Sequence, residues 1–526
     1  MKNRRAPLCP LIARCLAALL LSCSLLFPTA RPAWADPPGQ GPAKPDPGRP
    51  APDQSSSDEE EELIFGEEEK GPEYPSRSLR AQAAARKWEG RVNIGGYFEN
   101  EAAFDTVQEN SREDMIDFRS KIFAYGTYTF SERASLRLSI LTLYWILEGG
   151  NDKQQSESEL YEGYLAFKYP RADLYLGQML VRWGVCNLFS PTNAVNPVNY
   201  RSFIDPDAED LRIPLPMIKT NFFGEGFTLE ALYIPVFRSS VFQLTGSDLA
   251  LVQTQGARSR VPEGLDPFLT RTLQNYPAQS IDFREQKFLM GEAAVKLSIA
   301  RGSSQTELVY FATREDFPIV IYAAPDTTNN PDATGDLSLE FNRYELYGIT
   351  YKTHLKGVDL FTEYAYSPRR FITAALYSTV PPERVMEKTK RIKRPWQAAS
   401  IELDYLDPEG DFFLKFGAER STYLNAPEHL FLSSADSLYF LALLRLFLLN
   451  NSVMPEWRVI NIQAGSNQWF ISPRVKYHFL DRCDLTAGLN IFAGAAGGQS
   501  NNAQESTPIV ILSDNNQFFV SFRWSF

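Results

Sequence analysis

Four carboxylates stand within six positions of one another, Asp205, Asp207, Glu209 and Asp210, between Arg201 and Arg212. Acids packed this densely repel one another, so they either hold cations or set up a field that sorts solutes by charge when a low-dielectric wall faces them. Cations for such a wall are present at Arg119, Lys121, Arg137 and Lys296, each in a stretch where polar and apolar residues alternate. Two plainer roles compete: the acids could sit at an outer rim and bind divalent cations, or Arg201 and Arg212 could neutralise them locally. Other chemistry is thin. The three histidines, His354, His429 and His478, are too scattered to form one metal site, so neither metal nor cofactor is expected. His429 with Ser433 or Ser434 is the nearest approach to a nucleophile and base, and no motif supports it; the expectation is not an enzyme. Gly494 to Gly498 lacks the spacing of a phosphate cradle.

Residues like these need a frame, and the chain supplies one from Val92 onward. Stretches of about ten residues alternate in polarity, the period of strands with lipid on one face and water on the other. Leu136, Leu138, Ile140 and Tyr144 oppose Arg137 and Ser139; Ala293, Val295, Leu297 and Ile299 oppose Ala294, Lys296 and Ser298; Ile401 and Leu403 oppose Ser400 and Glu402. Short turns and long polar connections also alternate. Seven short turns against eight long connections predict an all-β transmembrane antiparallel barrel of about 16 strands (14–18), because one hairpin can hide in the two longest connections. One of these is 421–466, where Leu438 to Leu449 is almost wholly apolar and reads as a short helix, with a further strand as the alternative. The connection 367–395 reads as a loop. In the last strand Phe522, Trp524 and Phe526 share a face and end the chain, which resembles the signal by which outer-membrane barrels engage their assembly machinery.

The compartment follows from the first residues. Lys2, Arg4 and Arg5, an apolar core from Leu16 to Phe27, and Ala33-Trp34-Ala35 have the order of a secretory signal peptide, giving residues 1–35 as signal. Residues 36–90 are Pro- and Gly-rich, then acidic, and are expected to form a disordered periplasmic leader; 91–526 is the barrel. The whole chain has 53 Lys and Arg against 64 Asp and Glu, which argues against nucleic acid as a partner. Only Cys186 and Cys483 lie beyond the signal, on opposite ends of the expected barrel, so no disulfide is expected.

The connection 183–214 has the most defined chemistry. Its scaffold residues, Trp183, Gly184, Asn196, Pro197, Asn199, Pro214 and Pro216, restrict the backbone and supply side-chain amides for local bonds, so it should be stiff. The W-G start at Trp183, the N-P-V-N run at Asn196 and the later I-P-L-P at Ile213, followed by LEALYIPVF, resemble a porin-like family of outer-membrane barrels of unknown function, distantly similar to alginate-export and substrate-selective porins. Cys186 departs from the polar residue expected there. The resemblance implies a channel or exporter component in the outer membrane, and the even strand count leaves both termini periplasmic. By its order in the chain this third outer loop would narrow the pore for small polar solutes. The rivals are a surface adhesion or structural barrel with a blocked lumen, and a component exporting apolar compounds with an inner-membrane pump. Expected partners are outer-membrane lipid and lipopolysaccharide, the barrel-assembly machinery and, by analogy with other porins, two further copies in a homotrimer.

Overall fold

The computed structural model describes residues 92–106, 115–147, 153–187, 189–199, 212–243, 280–281, 291–323, 336–355, 357–377, 386–427, 430, 434–464, 466–494 and 516–526. The expected signal and leader lie outside the described residues. The strands are β1 (Val92–Asp105), β2 (Met115–Ser131), β3 (Ala134–Leu147), β4 (Lys153–Lys168), β5 (Ala172–Met179), β6 (Leu215–Phe223), β7 (Phe227–Ile234), β8 (Phe242–Gln243), β9 (Ser280–Ile281), β10 (Glu292–Arg301) and β11 (Ser304–Arg314). They continue with β12 (Ile319–Ala323), β13 (Asp336–Glu340), β14 (Arg343–Leu355), β15 (Val358–Tyr377), β16 (Met386–Leu406), β17 (Phe412–Tyr423), β18 (Asp436–Leu446), β19 (Val453–Ala464), β20 (Ser466–Leu480), β21 (Cys483–Gly494) and β22 (Gln517–Ser525).

Among the described residues, eighteen strands pair antiparallel into one closed ring: β1 to β7, β10, β11 and β14 to β22, with β22 returning to β1. At the seam Tyr97 lies opposite Ser525, and Gly96 and Phe526 exchange backbone hydrogen bonds of 3.1 and 2.9 Å. Closure leaves no unpaired edge, which is what a sheet in hydrocarbon requires. The alternation read from the sequence sets the two faces. In β3, Ile140 is 54% exposed while its neighbour Leu141 is 3% exposed. Ile349, Ile401, Phe416, Trp457 and Trp469 join Ile140 on the outer apolar belt, while Ser139, Thr350, Glu402 and Arg458 are buried inward. The ends of the strands meet in short turns at one rim, for example Gly302 and Ser303 between β10 and β11, where Gly302 takes the left-handed φ of +61° that a side chain would resist. An even strand number returns both ends of the ring to this rim.

Eighteen strands replace the sixteen expected. The additional pair is β18 and β19, and Leu438–Leu449 is therefore strand β18 and its turn, not a helix. The reason is that the middle of β18 is apolar on both faces. Phe440 points outward, while Leu441 and Leu443 point inward, and Leu441 packs with Ile460, Phe470 and Phe492, against which Phe189 of the β5–β6 connection also rests. Ser437 and Arg445 mark the inward face only near the two ends, so period two is lost from the stretch between them. The turn that follows carries Leu449, Asn450 and Asn451 at φ of 53°, 54° and 63°, a left-handed run that asparagine tolerates better than most residues.

The connection 367–395 is likewise mostly strand. β15 and β16 continue past the rest of the ring as a two-stranded ribbon, with a bulge between Ser367 and Arg370 that accommodates Pro368. Below the bulge β15 adjoins β14 and β16 adjoins β17. Above it the edges are exchanged: Lys388 of β16 pairs with Ala323 of β12, from the connection before β14, and Ala374 of β15 bridges Leu430, from the connection after β17. The ribbon has turned over about its length. At its base Arg370 forms a bidentate pair with Glu315 (2.9 and 3.0 Å) and stacks over Trp396 at 4.4 Å.

Candidate functional site

The connection from Met179 to Leu215 does not leave the barrel freely. Its two ends are joined by one side chain: the Asn196 Oδ1 accepts from the Val181 N–H at 2.7 Å, and its Nδ2 donates to the Ile213 carbonyl at 2.9 Å. The Ile213 N–H donates to the Pro197 carbonyl at 2.8 Å, and the Arg212 guanidinium donates to the carbonyls of Asn193 and Asn196. Fully buried Asn196 thus replaces a strand ladder where prolines leave fewer N–H donors. Tyr161 on the wall donates to the Arg212 carbonyl at 3.0 Å. Asn199 bridges Val241 of the following connection, and Pro216 sits in β6 opposite Gln178.

Three inward-facing wall carboxylates hold the segment from Trp183 to Thr192. Glu363 of β15 accepts from the N–H groups of Val185 (2.6 Å), Cys186 (2.7 Å) and Thr192 (3.2 Å) and from the hydroxyls of Ser190 (2.9 Å) and Thr192 (2.6 Å). Glu402 of β16 accepts from the Asn187 N–H (3.0 Å) and side-chain amide (2.7 Å), and also pairs with Lys415. Glu230 of β7 accepts from the Trp183 indole N–H and pairs with Lys219 at 3.3 Å. A carboxylate can be buried when this many donors converge on it, and charge-assisted bonds are about twice as strong as neutral ones. Gly184 makes the arrangement sterically possible: its φ is +93°, and a Cβ there would lie 2.1 Å from the Ser190 Oγ and 2.9 Å from the Glu363 carboxylate. The Trp183 ring, 1% exposed, packs edge-on against Phe311 and lies under the Lys296 ammonium at 5.5 Å.

Cys186 is 1% exposed, and its thiol accepts from the Ser400 hydroxyl at 3.4 Å. Burial, reinforced by the charge of Glu363, raises its pKa far above the ordinary thiol value. Cys483 is also a free thiol, at the short-turn rim.

The wall cations named from the sequence face inward with these carboxylates and carry partners. Arg119 pairs with Glu101, Arg137 donates to Glu162 at 3.1 Å and lies over Tyr125, Lys121 lies over Tyr97 at 4.9 Å, and Lys296 is 3.7 Å from Glu307. Across the ring Arg445, Arg458 and Arg474 converge on Glu456. The loop acids Asp205, Asp207, Glu209 and Asp210, with Arg201, lie outside the described residues, as do His429 and Ser433. His354 and His478 pair with Asp359 and Asp484 near the short-turn rim. Phe522 and Trp524 stand on the outer face, with rings against Phe479 and the terminal Phe526 respectively.

Sequence reading did not single out the anchors Glu230, Glu363 and Glu402. The available signal was an acid in the middle of an otherwise alternating strand, visible at Glu402 in SIELDY and at Glu363 in LFTEYAY. Such an acid needs polar partners inside the barrel, and the adjacent strands supply only part of them, Lys219 for Glu230 and Lys415 for Glu402.

Solved structures with a similar chain path are outer-membrane proteins. OmpT of Vibrio cholerae, in a trimer form, superposes with a TM-score of 0.39 at 12% identity, covering 84% of this chain and 100% of that one. OccK1 (OpdK) of Pseudomonas aeruginosa gives 0.45 at 8%, covering 83% and 98%, and OccAB3 of Acinetobacter baumannii gives 0.45 at 9%, covering 83% and 99%. No curated protein matches the sequence. A family profile described as protein of unknown function (DUF1302) matches residues 78–442, which takes in the anchored connection and the ring as far as β18. The chain, a porin-like β-barrel, belongs to that DUF1302 family.

Proposed function

We propose that this protein is an outer-membrane channel for small polar solutes, narrowed by the β5–β6 connection. One observation carries the reading: the segment from Trp183 to Thr192 is bonded to inward-facing carboxylates on three wall strands, Glu230, Glu363 and Glu402, so it occupies space that the ring alone would leave to water. A loop fixed this way sets pore width without depending on thermal motion, and charged groups beside it act strongly in a low-dielectric wall. In this reading Arg119, Lys121, Arg137 and Lys296 line the path, Asp205 to Asp210 add the opposing charge, and the short-turn rim with both termini lies in the periplasm. Lipopolysaccharide surrounds the outer belt, the aromatic C-terminal strand engages the assembly machinery, and three copies associate.

Planar bilayers test it. Purified protein should carry discrete ionic current, and removing residues 185–192 should enlarge the single-channel conductance. No current from the intact protein would favour a structural or adhesive barrel with a blocked lumen, and an unchanged conductance after the deletion would remove the loop as the narrowing element.

A further inference from the structure

The ribbon formed by the upper parts of β15 and β16 is far more basic than the chain that bears it. From Lys388 to Arg394 five of seven residues are cationic, Lys388, Lys390, Arg391, Lys393 and Arg394, and Arg369 and Arg370 lie on the partner strand, in a protein whose formal net charge is -11. Lys388, Lys390, Arg391 and Lys393 are exposed. Among the described residues only part of this charge is used internally. Arg370 pairs with Glu315 and Arg391 with Glu340, while Arg394 donates to backbone carbonyls and Lys393 lies over the Phe371 ring at 4.8 Å. Thr389 and Arg391 turn to the connection that holds β12 and β13, since the Tyr322 N–H donates to the Thr389 hydroxyl at 2.8 Å and Arg391 donates to Asn342 at 2.9 Å. Lys388 and Lys390 alternate with these residues along the strand and so stand on its opposite face.

The ribbon leaves the ring at the rim opposite the short turns, and its two edges are tied to connections on either side, through Ala323 and Leu430. It is therefore held at the mouth of the barrel by both flanks. We infer that this basic ribbon is an electrostatic collector for small anionic solutes, carboxylates or phosphates, at the channel entrance. The inference rests on the channel reading above and names the solute class for it. Several like charges on a low-dielectric support raise the local concentration of counter-ions, and clefts of this kind speed capture by factors of roughly 10 to 1,000. The attraction should be strong at 0.1 M salt, where the screening length is about 10 Å, and weak at 1 M, where it is about 3 Å. Lipid phosphates would offer the same chemistry to the ribbon, so the experiment separates the two sources.

The full chain is reconstituted in planar bilayers of phosphatidylcholine, free of lipopolysaccharide, and the reversal potential is read across a tenfold KCl gradient. The intact channel should favour anions. In K388E/K390E/K393E the anion-to-cation permeability ratio should fall about tenfold around 0.1 M, the lower end of that range, and differ little from the intact protein near 1 M, while K388R/K390R/K393R should keep the intact value. Heat-modifiable migration on gels confirms that each variant is a folded barrel. A cation-selective intact channel, or an unchanged permeability ratio in the triple glutamate variant, overturns the inference and leaves the channel reading standing. Loss of lipopolysaccharide-induced thermal stabilisation in that variant, with the ratio unchanged, would reassign the ribbon to lipid. An intact protein that passes no current overturns both readings together.

Discussion

Replacing Glu363 by glutamine isolates the anchor of the β5–β6 connection at nearly constant volume. The carboxylate receives donors on both oxygens: Val185 N–H, Cys186 N–H and the Ser190 hydroxyl on one, and Thr192 N–H and hydroxyl on the other, with Ser190 shared. An amide keeps one acceptor and turns an NH2 group toward the second set of donors; the Thr192 hydroxyl can rotate to accept from it, but the Thr192 N–H is left facing a donor, so at least that bond is lost. A bond to a charged group contributes about 1.5–3 kcal/mol. Even the lower figure shifts the balance between seated and released loop by about tenfold, since 1.4 kcal/mol is a factor of ten. Two assays read this in a Cys483→Ser background. Maleimide labelling of Cys186 should accelerate about tenfold or more, and single-channel records should show a larger or unsteady open level. Unchanged labelling in a folded barrel would refute the anchoring argument. Faster labelling with unchanged conductance would keep the anchor and refute the idea that this loop limits the current.

In the unaltered protein, labelling of Cys186 should stay slow at pH 8 to 9, the range in which a free thiol passes through half ionisation, because burial raises its pKa and the thiolate fraction at a given pH falls accordingly; rapid labelling of the native barrel would contradict this. Asn196→Ala removes the bonds to Val181 and Ile213 from a buried site and should lower stability by about 2–4 kcal/mol, read as a lower temperature of heat modification. Phe440→Arg should cost about 2–4 kcal/mol by placing charge on the lipid face of β18, whereas a helix in an outer loop would tolerate it. Deleting Phe526 removes the backbone exchange with Gly96 at the seam and should reduce the yield of folded barrel in the membrane fraction.

What the sequence made legible is what period two encodes. Arg137, Lys296 and Glu402 could be assigned an inward face because each sits between residues such as Leu138, Val295 and Ile401 that must meet lipid. That asparagine amides of the connection after β5 bond nearby peptide groups was equally readable, as Asn196 does with Val181 and Ile213, since such bonds act locally. What stayed hidden depends on tertiary partners. Leu441 faces inward without being polar because Ile460, Phe470, Phe492 and Phe189 pack against it, and Leu443 beside it is buried too, so the middle of β18 gave no alternation to read. The ribbon above Ser367 looked like a loop because its charges and Pro368 disfavour an ordinary strand, and its pairing comes mainly from its own antiparallel mate, with single contacts to Ala323 and Leu430 at its edges. The anchoring role of Glu363 needs a segment far away in the chain to bring the donors.

That separation has a consequence for how the barrel is made. The N–H donors of Val185 and Asn187 precede Glu363 and Glu402 by 178 and 215 positions, so the segment that fills the interior emerges long before the side chains that seat it. Contacts this distant form late, after intervening hairpins have closed the intervening distance. An assembly intermediate containing only β1 to β7 has Glu230 for the Trp183 indole but lacks the carboxylates that take the N–H groups of Val185, Cys186 and Asn187, which stay in water until β15 and β16 are added. The order of synthesis therefore divides the seating of the loop into an early step at the indole and a later one at the amides, with two thirds of the ring strands in place before the second is complete.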